Sequence, residues 1–395
     1  MNIQVIDESV SNSRSTIIKV VGAGGGGCNA VNRMIECGLS GVDFIAVNTD
    51  QQVLNQCRAE TKLPIGSKLT QGLGAGGDPL VGEKAALEDR DMIANAVKGA
   101  HMVFVTAGMG GGTGTGAAPI IAQVARENGA LTVGVVTKPF EIEGDYRMCI
   151  AGEGIDKMRE AVDSLIVIQN ERLFEVMDKK ATMKDAFLKA DEILHQGVQS
   201  ISDLILETGL INVDFADVKK TMCGQGDALM GIGVGEGDNG AEEAAIRAVD
   251  NPLLDDTTIE GAKRLLVNVS GSEELGMAEF RNAIRIVKEK ADPSVQLKPG
   301  LVINPLLGKK VMVTVIATGF QPKTIKMEQP GDSSNEVISI GEWKNITNRS
   351  AAGKTEFLTL RKNYSEDDLD VPAIMRFSSE QTQPSGSANR EVMDL

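Results

Sequence analysis

Hydrophobic residues occur along the chain in two alternating patterns, as short apolar runs and as longer stretches with helical spacing. The short runs cover residues 16–21, 42–47, 102–107, 131–136 and 165–169. Runs of this length between turn residues are typical of buried strands, and amphipathic segments separate them. Strands that alternate with helices predict an α/β domain with a Rossmann-like, doubly wound parallel sheet. The ligand crevice of such a sheet lies at the carboxyl ends of its strands.

The second half of the chain has a different pattern. Residues 182–206 carry apolar side chains at alternating intervals of three and four, which predicts one helix roughly 36 Å long that ends by Gly209. Further on, apolar runs at 266–269, 301–303 and 311–318 predict strands, and residues 277–290 have helical spacing. We therefore expect the long helix to lead into a smaller α+β domain.

These patterns predict the following division of the chain. The segments are a disordered arm (1–14), a nucleotide-binding domain (15–181), a central helix (182–208), an α+β domain (209–321), a flexible linker (322–365), an acidic segment that becomes apolar (366–377) and a variable tail (378–395). Residues 366–377 are too few to form a core. They are either an irrelevant tail or a peptide that folds on a partner.

Three glycine-rich stretches, 22–27, 72–77 and 108–116, interrupt the predicted nucleotide-binding domain. The first and third each follow a predicted strand. A glycine run between a strand and a helix lets backbone N–H groups surround an anion, and the helix adds its positive end, so phosphate is the expected ligand. Asp78 and Pro79 predict the N-cap and first residue of a helix that continues to about residue 98. Asn48 and Asp50 follow another strand, where they could reach a ribose or a base.

Composition narrows the classes of partner. The chain has 40 basic and 55 acidic residues, a net charge of −15 that opposes nonspecific binding to nucleic acid or to anionic lipid. Its five cysteines are scattered, without C-x-x-C spacing, and its two histidines are far apart. We expect no disulfide framework and no zinc site. An export signal and a long apolar run are both lacking in the sequence, which predicts a cytoplasmic protein.

The remaining motifs separate the nucleotide-binding classes. The sequence lacks both G-x-x-x-x-G-K-[ST] and N-K-x-D, which excludes the P-loop class. A dinucleotide-dependent oxidoreductase could use residues 22–27 with Asp50 on the ribose, but it would leave the stretch 108–116 without a role. Three glycine loops fit a triphosphate better. A scaffold that binds nucleotide without hydrolysing it stays open as a further alternative.

The stretch 110–116 resembles the glycine-rich loop shared by the tubulin/FtsZ family. Other motifs follow in the family's order, namely residues 25–29, 48–50, 72–77, 138–140 with Glu143 and Arg147, and 212–217. The resemblance covers about residues 15–320 and the segment 366–377, and it favours the prokaryotic division branch. Cys28 stands where a glycine is expected.

The resemblance implies a GTPase that binds GTP or GDP, with Mg²⁺ on the β and γ phosphates. The residues expected to hold phosphates through their backbone are Gly25, Gly26, Gly27, Cys28, Asn29, Ala75, Gly76, Gly77, Gly112, Thr113 and Gly114. Glu143 and Arg147 would contact ribose and base-side groups, and guanine would be held by Asn170, Phe187 and Asp191. Taken singly, Arg147 could be a solvated helix residue, Phe187 a core residue and Asp191 a surface charge.

Hydrolysis needs a group that positions water, and glycine loops supply none. Asp214 and Asp217 lie beyond the long helix, so we do not expect them to reach the nucleotide of their own subunit. The resemblance implies that both, with Asn212, form a catalytic loop at 209–217 that acts on the nucleotide of the next subunit in a head-to-tail homopolymer. Alternatively, Asp214 caps the next helix and Asp217 interacts with its dipole.

The resemblance also implies a cellular role. It predicts a component of the cytokinetic ring at mid-cell, beneath the inner membrane. Residues 366–377 would bind a membrane adaptor such as an FtsA-like protein, and other division and assembly-regulating proteins would bind as well. Residues 378–395 extend beyond the family segment and carry no predicted function.

Overall fold

A computed structural model describes residues 16–178, 180–206, 209–211, 213–237, 239–251 and 259–320. The predicted arm (1–14), linker (322–365), partner segment (366–377) and tail (378–395) lie outside the described residues. All described residues belong to one unit of tertiary contacts, which spans residues 1–323. The predicted boundaries between nucleotide-binding domain, central helix and α+β domain therefore remain predictions.

A ten-stranded sheet runs through the described residues. Its strands are β1 (Ile18–Ala23), β2 (Val42–Asn48), β3 (Thr61–Pro64), β4 (Met102–Gly108), β5 (Leu131–Lys138), β6 (Ser164–Gln169), β7 (Gly226–Glu236), β8 (Arg264–Gly271), β9 (Gln296–Ile303) and β10 (Lys310–Thr318). Their order is β3-β2-β1-β4-β5-β6-β7-β10-β8-β9. Neighbours from β3 to β7 are parallel, whereas β10 runs antiparallel to β7 and β8. The predicted α/β class with a parallel sheet is confirmed, and the α+β part extends the same sheet.

Helices flank the sheet along the described chain. They are α1 (Gly24–Glu36), α2 (Gln51–Gln56), α3 (Ser67–Thr70), α4 (Pro79–Glu88), α5 (Arg90–Val97), α6 (Gly112–Glu127), α7 (Asp145–Ala161), α8 (Leu173–Val176), α9 (Met183–Leu206), α10 (Phe215–Met222), α11 (Gly240–Val249) and α12 (Met277–Glu289). The predicted long helix is α9, with 24 residues.

Two helical predictions differ from the structure in their boundaries. The glycine stretches after β1 and β4 are largely not loops, because α1 begins at Gly24 and α6 at Gly112. The helix predicted from residue 79 to about 98 is divided at Asp89 into α4 and α5. The carboxylate of Asp89 accepts a hydrogen bond from the backbone N–H of Gly66, 2.7 Å away, so this residue holds a neighbouring turn.

The core lies on both faces of the parallel sheet. Along β4, Met102 and Phe104 belong to one hydrophobic cluster, which contains residues of α1 and α9, while Val103 and Val105 belong to another, which contains residues of α4 to α7. This alternation shows that both faces of the strand are covered, as a parallel sheet requires. A third cluster joins α11 and α12 to β8 and β10.

Sequence periodicity did not predict β7 and α11, because glycine replaces apolar residues along the strand. A Cβ at Gly233 would lie 2.0 Å from the carbonyl oxygen of Ala244, and one at Gly235 would lie 2.0 Å from that of Gly240. These glycines let α11 pack on the strand backbone. Residues 235–240 also satisfy the G-x-G-x-x-G pattern of nucleotide-binding loops, and in the structure their glycines serve the packing of α11 on β7.

Candidate nucleotide site and acidic turn

The carboxyl ends of β1 and β4 meet the amino ends of α1 and α6 at one edge of the sheet. The two strands are parallel neighbours, with Ala23 opposite Ala107. Neither α1 nor α6 has a side-chain hydrogen bond at its N-cap, and neither carries an acidic residue in its first turn. The first backbone N–H groups of both helices can therefore bind an anion, which the helix dipoles also favour.

Backbone segments from the three glycine stretches contact each other here. Gly24 has φ +71°, and a Cβ on it would lie 2.6 Å from the backbone nitrogen of Gly114. A Cβ on Gly112 would lie 2.9 Å from the backbone nitrogen of Asp78. Such close approach requires residues without a side chain. The three predicted phosphate-binding stretches thus converge on one site.

The predicted phosphate-binding residues occupy different positions relative to the helix ends. The stretch 25–29 lies in the first turns of α1, the stretch 75–77 precedes α4, and the stretch 112–114 begins α6. A helix leaves about its first four N–H groups unpaired, and in α1 these end at Gly27. Cys28 and Asn29 lie just beyond, where the N–H groups belong to the helix ladder. Cys28 is 1% exposed and fills space in the core.

Polar residues at the end of β2 and directly after it connect this strand to the site. The hydroxyl groups of Thr49 and Thr113 are 2.6 Å apart, and the amide oxygen of Asn48 accepts a hydrogen bond from the backbone N–H of Asp50. The Asp50 carboxylate caps α2 by accepting the N–H of Gln52 at 2.8 Å. Asp50 therefore has a structural role besides its predicted contact to the ribose. Thr49 was not among the predicted site residues, although it stands between two of them.

Glu143 and Arg147 form an ion pair at the amino end of α7. The other carboxylate oxygen of Glu143 accepts the backbone N–H of Phe140 at 2.9 Å. A Cβ on Gly110 would lie 2.8 Å from the Arg147 carbonyl oxygen, so the start of α7 lies against the third glycine stretch. Both predicted contact residues are thus next to the phosphate-binding edge.

One of the predicted base-side residues packs against Phe140, which is buried and closely follows β5. The ring of Phe187 on α9 packs edge-on against that of Phe140, with centroids 5.3 Å apart, yet Phe187 is 44% exposed. Its exposed surface is available to a flat ligand. Asn170 directly follows β6, the strand next to β5, and is 5% exposed.

Of the two predicted acceptors for guanine, Asn170 is buried and Asp191 is partly buried. The side-chain oxygen of Asn170 has no hydrogen-bond partner among the described residues. Asp191 lies one helical turn after Phe187, and burial raises the pKa of its carboxyl to about 6, an effect that Arg33 of α1 opposes. A buried acceptor without a partner is costly, so a ligand with N–H donors would relieve the Asn170 oxygen and could also pair with Asp191.

The predicted catalytic residues lie at α10. Asp214 is the N-cap of this helix, and its carboxylate accepts the backbone N–H of Asp217 at 2.7 Å. The Asp217 carboxylate pairs with the ammonium of Lys298 on β9 at 2.8 Å. Asn212 lies outside the described residues. The capping role considered for Asp214 is confirmed, while the partner of Asp217 is a strand residue that local sequence does not indicate.

Helix α10 lies at the amino ends of the parallel strands, opposite the glycine stretches. The ring of Phe215 contacts that of His101, the residue before β4, with centroids 6.2 Å apart. The hydroxyl of Ser164, the first residue of β6, donates to the carbonyl oxygen of Met222 at 2.6 Å. The seven residues of β4 span roughly 20 Å at about 3.3 Å per residue. The acidic turn and the anion-binding edge are separated by that length.

Comparison with known proteins gives the same picture. The family model described as the Tubulin/FtsZ family GTPase domain matches residues 17–178, and that of the FtsZ family C-terminal domain matches residues 226–321. A structure of an FtsZ dimer from M. jannaschii is 44% identical, with a TM-score of 0.75 over 78% of this chain and 89% of that chain. A GDP-bound CetZ1 monomer from Haloferax volcanii is 22% identical, with a TM-score of 0.67 over 78% of this chain and 95% of that chain, and supports the fold alone.

The converging helix ends and the matched domains define a nucleotide-hydrolysing protein, and the chain belongs to the tubulin/FtsZ family. It is a GTPase that binds GTP and GDP. The alternatives of a dinucleotide-dependent oxidoreductase and of a scaffold without hydrolysis are thereby set aside. Among the described residues, no helix is both long enough and apolar enough to span a membrane.

Proposed function

We propose that this GTPase assembles head to tail into GTP-dependent filaments and hydrolyses GTP at the junction between two subunits. The observation that carries the proposal is the placement of the glycine stretches and of Asp214 and Asp217 at opposite edges of one sheet, roughly 20 Å apart. Carboxylates at that distance do not reach the nucleotide of their own subunit. A head-to-tail contact joins the two edges, and repeating it produces an open filament.

In the proposed complex, the first turns of α1 and α6 and the stretch 75–77 hold the phosphates. Guanine lies against Phe187, with its N–H donors directed at Asn170 and Asp191. Glu143 and Arg147 contact the ribose and base side. This assignment is supported by the uncapped helix ends, by the unpartnered Asn170 oxygen and by the burial of Asp191.

The proposed cofactor is Mg²⁺, bound mainly by the nucleotide phosphates. The described residues contain no cluster of three or more His, Cys, Asp or Glu side chains that could hold a metal ion. Two carboxylates beside the glycine stretches, Asp50 and Asp78, already cap helices. Oxygen ligands from the β and γ phosphates fit the preference of this ion, which would offset phosphate charge.

In the proposed reaction, a water molecule attacks the γ-phosphorus and the bond to the β-phosphate oxygen breaks, so the products are GDP and inorganic phosphate. Asp214 and Asp217 of the adjoining subunit polarise the water and accept its proton, and Asn212 orients the ligand. Because one oxygen of Asp214 is fixed by the cap, the orientation of its carboxylate is set before the subunits meet.

The experiment that tests this proposal is the substitution Asp217→Ala. The variant should bind GTP like the parent, because the nucleotide edge is roughly 20 Å away. Phosphate release from assembled protein should fall by about 10²-fold or more, the usual effect of losing a positioned acid–base group. Parent-like turnover would show that Asp217 is not catalytic.

A matched control is Asp250→Ala. Asp250 is an exposed carboxylate that pairs with Lys290 at 3.4 Å, and it lies at the end of α11. Its removal deletes the same kind of ion pair at residues that belong to neither α10 nor β9. Hydrolysis by this variant should match that of the parent.

We further propose that the filaments form the cytokinetic ring at mid-cell, in the cytoplasm beneath the inner membrane. Support comes from the family relationship and from residues 366–377, whose acidic-to-apolar sequence is typical of a segment that folds on a partner. The proposed partner is a membrane adaptor such as an FtsA-like protein, and other division and assembly-regulating proteins would bind the same filaments. Deletion of 366–395 should abolish pull-down of the adaptor and leave GTPase activity intact, and retained pull-down would contradict the assignment.

A further inference from the structure

Three contacts hold the acidic turn against the edge strand β9. The backbone N–H of Leu301 donates to the carbonyl oxygen of Ile211 at 3.0 Å. Two residues later along the turn, Val213 packs near Gly300, where an added Cβ would lie 3.3 Å from the Val213 side chain. The ion pair between Lys298 and Asp217 is the third contact. The α+β part thus supports the segment that carries the proposed catalytic groups.

We propose that Lys298 is a positioning residue for hydrolysis, which holds the carboxylate of Asp217 in the orientation that faces the adjoining subunit. This inference rests on the proposed junction mechanism. The ammonium lies 2.8 Å from one Asp217 oxygen, and the two side chains are 46% and 34% exposed. Half-exposed, they remain accessible to a second subunit.

The positive charge of Lys298 has a second effect on the proposed hydrolysis. Asp214 and Asp217 present two carboxylates to a triphosphate, so like charges approach each other at the proposed junction. A cation paired with Asp217 reduces that repulsion while leaving the second carboxylate oxygen free to accept a hydrogen bond from water. Lys298 therefore favours both the orientation of the carboxylate and its approach to the nucleotide.

The test compares Lys298→Met with Lys298→Arg. The methionine variant should bind GTP normally but release phosphate about two- to fivefold more slowly per assembled subunit, the range that exposed ion pairs support. The arginine variant retains the cation and should recover most of the rate. Lys290→Met, which breaks the exposed pair with Asp250, should behave like the parent.

Equal rates for Lys298→Met and the parent, or equal rates for the methionine and arginine variants, would overturn the inference. Asp217→Ala, measured alongside, distinguishes a wrong junction mechanism from a wrong role of Lys298. If Asp217→Ala still hydrolyses GTP, the junction mechanism itself is wrong. If Asp217→Ala is inactive while Lys298→Met is normal, only the role of Lys298 is wrong.

An independent observation concerns the buried thiols of Cys28 and Cys57. Cys28 lies in α1 and Cys57 directly follows α2, and they are 1% and 3% exposed. The sulfur of Cys57 is 3.9 Å from the backbone carbonyl oxygen of Cys28, so the two residues are in contact. This contact connects the phosphate-binding helix to the helix that Asp50 caps.

We propose that Cys28 and Cys57 form a thiol-modification site, which a small peroxide converts into an intramolecular disulfide. The Cys57 sulfur attacks one peroxide oxygen, the O–O bond breaks, and a sulfenic acid and water form. The Cys28 sulfur then displaces the second oxygen as water. Two thiols are oxidised by two electrons, and one peroxide is reduced to two water molecules.

The electrostatics of the pair agree with this order of events. The adjacent Cys28 side chain lowers the pKa of the Cys57 thiol, although burial opposes the shift, whereas the pKa of Cys28 is raised. Cys57 is thus the more readily deprotonated thiol of the pair, which suits it to be the nucleophile. A disulfide requires the sulfurs to approach to about 2.05 Å. That movement pulls the end of α2 towards the first turns of α1 and should weaken nucleotide binding.

The test treats the full chain with hydrogen peroxide and then measures mass, alkylatable thiols and GTP affinity. A mass loss of about 2 Da, a peptide that links residues 28 and 57, and a severalfold lower GTP affinity that dithiothreitol restores would support the site. Cys57→Ser should lose both the cross-link and the effect of peroxide on GTP affinity. Cys149→Ser, which removes an exposed cysteine, should retain both. Oxidation confined to the exposed cysteines, or a cross-link without effect on GTP affinity, would overturn it.

Discussion

Asp191 combines an unfavourable position in the fold with a proposed contact to guanine. Its carboxyl is largely withdrawn from water, which raises its pKa to about 6, and Arg33 compensates only in part. A charged group in such a place destabilises the subunit when nucleotide is absent. Function would explain why the carboxylate stands there, because guanine offers N–H donors that a carboxylate accepts.

Asp191→Asn should therefore stabilise the nucleotide-free protein at pH 7 and weaken GTP binding. The folded pKa of about 6 lies above the ordinary value of 3.8, so charging the group opposes folding above pH 6. The free energy of unfolding should increase by about 1–3 kcal/mol relative to the parent. This increase should vanish below about pH 4, where the carboxyl of the parent is protonated in both the folded and the unfolded state. Thermal denaturation at pH 4 and pH 7 checks the stability. A variant less stable than the parent at pH 7 would contradict the burial argument.

The same carboxylate predicts the pH dependence of binding. As pH falls through about 6, Asp191 takes up a proton and can no longer accept hydrogen bonds on both oxygens. GTP affinity of the parent should decrease in that interval, whereas the affinity of Asp191→Asn should change much less. Titration calorimetry at pH 5 and pH 7 measures the difference, and identical pH profiles would exclude Asp191 from the base site.

Sequence alone could propose these residues but not their surroundings. The resemblance to the tubulin/FtsZ family indicated Asn170, Phe187 and Asp191. Nothing in local sequence showed that Phe187 would pack against Phe140, or that Lys298 would pair with Asp217, because each contact joins residues distant in the chain. Likewise, the sequence shows that a cysteine replaces the expected glycine at position 28. Its contact with Cys57 depends on how α1 and α2 pack and cannot be predicted from the sequence.

Helices α4 and α6 illustrate why glycine fixes the arrangement of the elements. A Cβ on Gly116 would lie 2.0 Å from the carbonyl oxygen of Pro79 and 2.5 Å from the backbone nitrogen of Glu83. Gly82 of α4 faces α6 in the same way, since an added Cβ there would lie 2.5 Å from the carbonyl oxygen of Gly112, so the close contact of the two helices depends on glycines on both. Since the stretch 75–77 leads into α4, this contact also sets its distance from the phosphate-binding end of α6.

Gly116→Ala should force α4 away from α6. We expect a loss of about 1–3 kcal/mol or more in the free energy of unfolding, as for other overpacked cores, together with weaker GTP binding. Gly111→Ala is the matched control, because an added Cβ there meets nothing within 4 Å and φ is −96°. Its stability should stay within about 0.5 kcal/mol of the parent. Equal melting temperatures for both variants would refute the packing argument.

Periodicity predicted elements with continuous apolar patterns and missed those built on glycine. The strands of the parallel sheet and the long helix α9 were recognisable because their buried positions recur regularly. The sequence predicts loops at the starts of α1 and α6, since glycine has low helix propensity. In the structure, tertiary packing and the need for close backbone approach override that propensity.

The subunit as a whole has two complementary edges on one sheet. The carboxyl edge presents uncapped helix ends, and the amino edge presents the acidic turn at α10. On the proposed mechanism, neither edge is sufficient for hydrolysis. Each subunit supplies a nucleotide to one neighbour and carboxylates to the other.

This arrangement predicts complementation between two defective variants. Asp217→Ala retains an intact nucleotide edge, and Asp191→Asn retains an intact acidic turn. An equal mixture should hydrolyse GTP faster than the mean of the two separate samples, because some junctions combine both intact halves. Mixing Asp217→Ala with the double variant Asp191→Asn, Asp217→Ala should give no such gain. Activity equal to the mean in both mixtures would mean that each subunit works alone.

The most direct measurement records phosphate release and light scattering on the same samples of the parent across a range of protein concentrations with excess GTP. If hydrolysis takes place only at the junction, the rate per subunit should be close to zero in dilute solution and rise steeply at the concentration where scattering begins. A rate per subunit that stays constant down to concentrations at which the protein is monomeric would contradict the account.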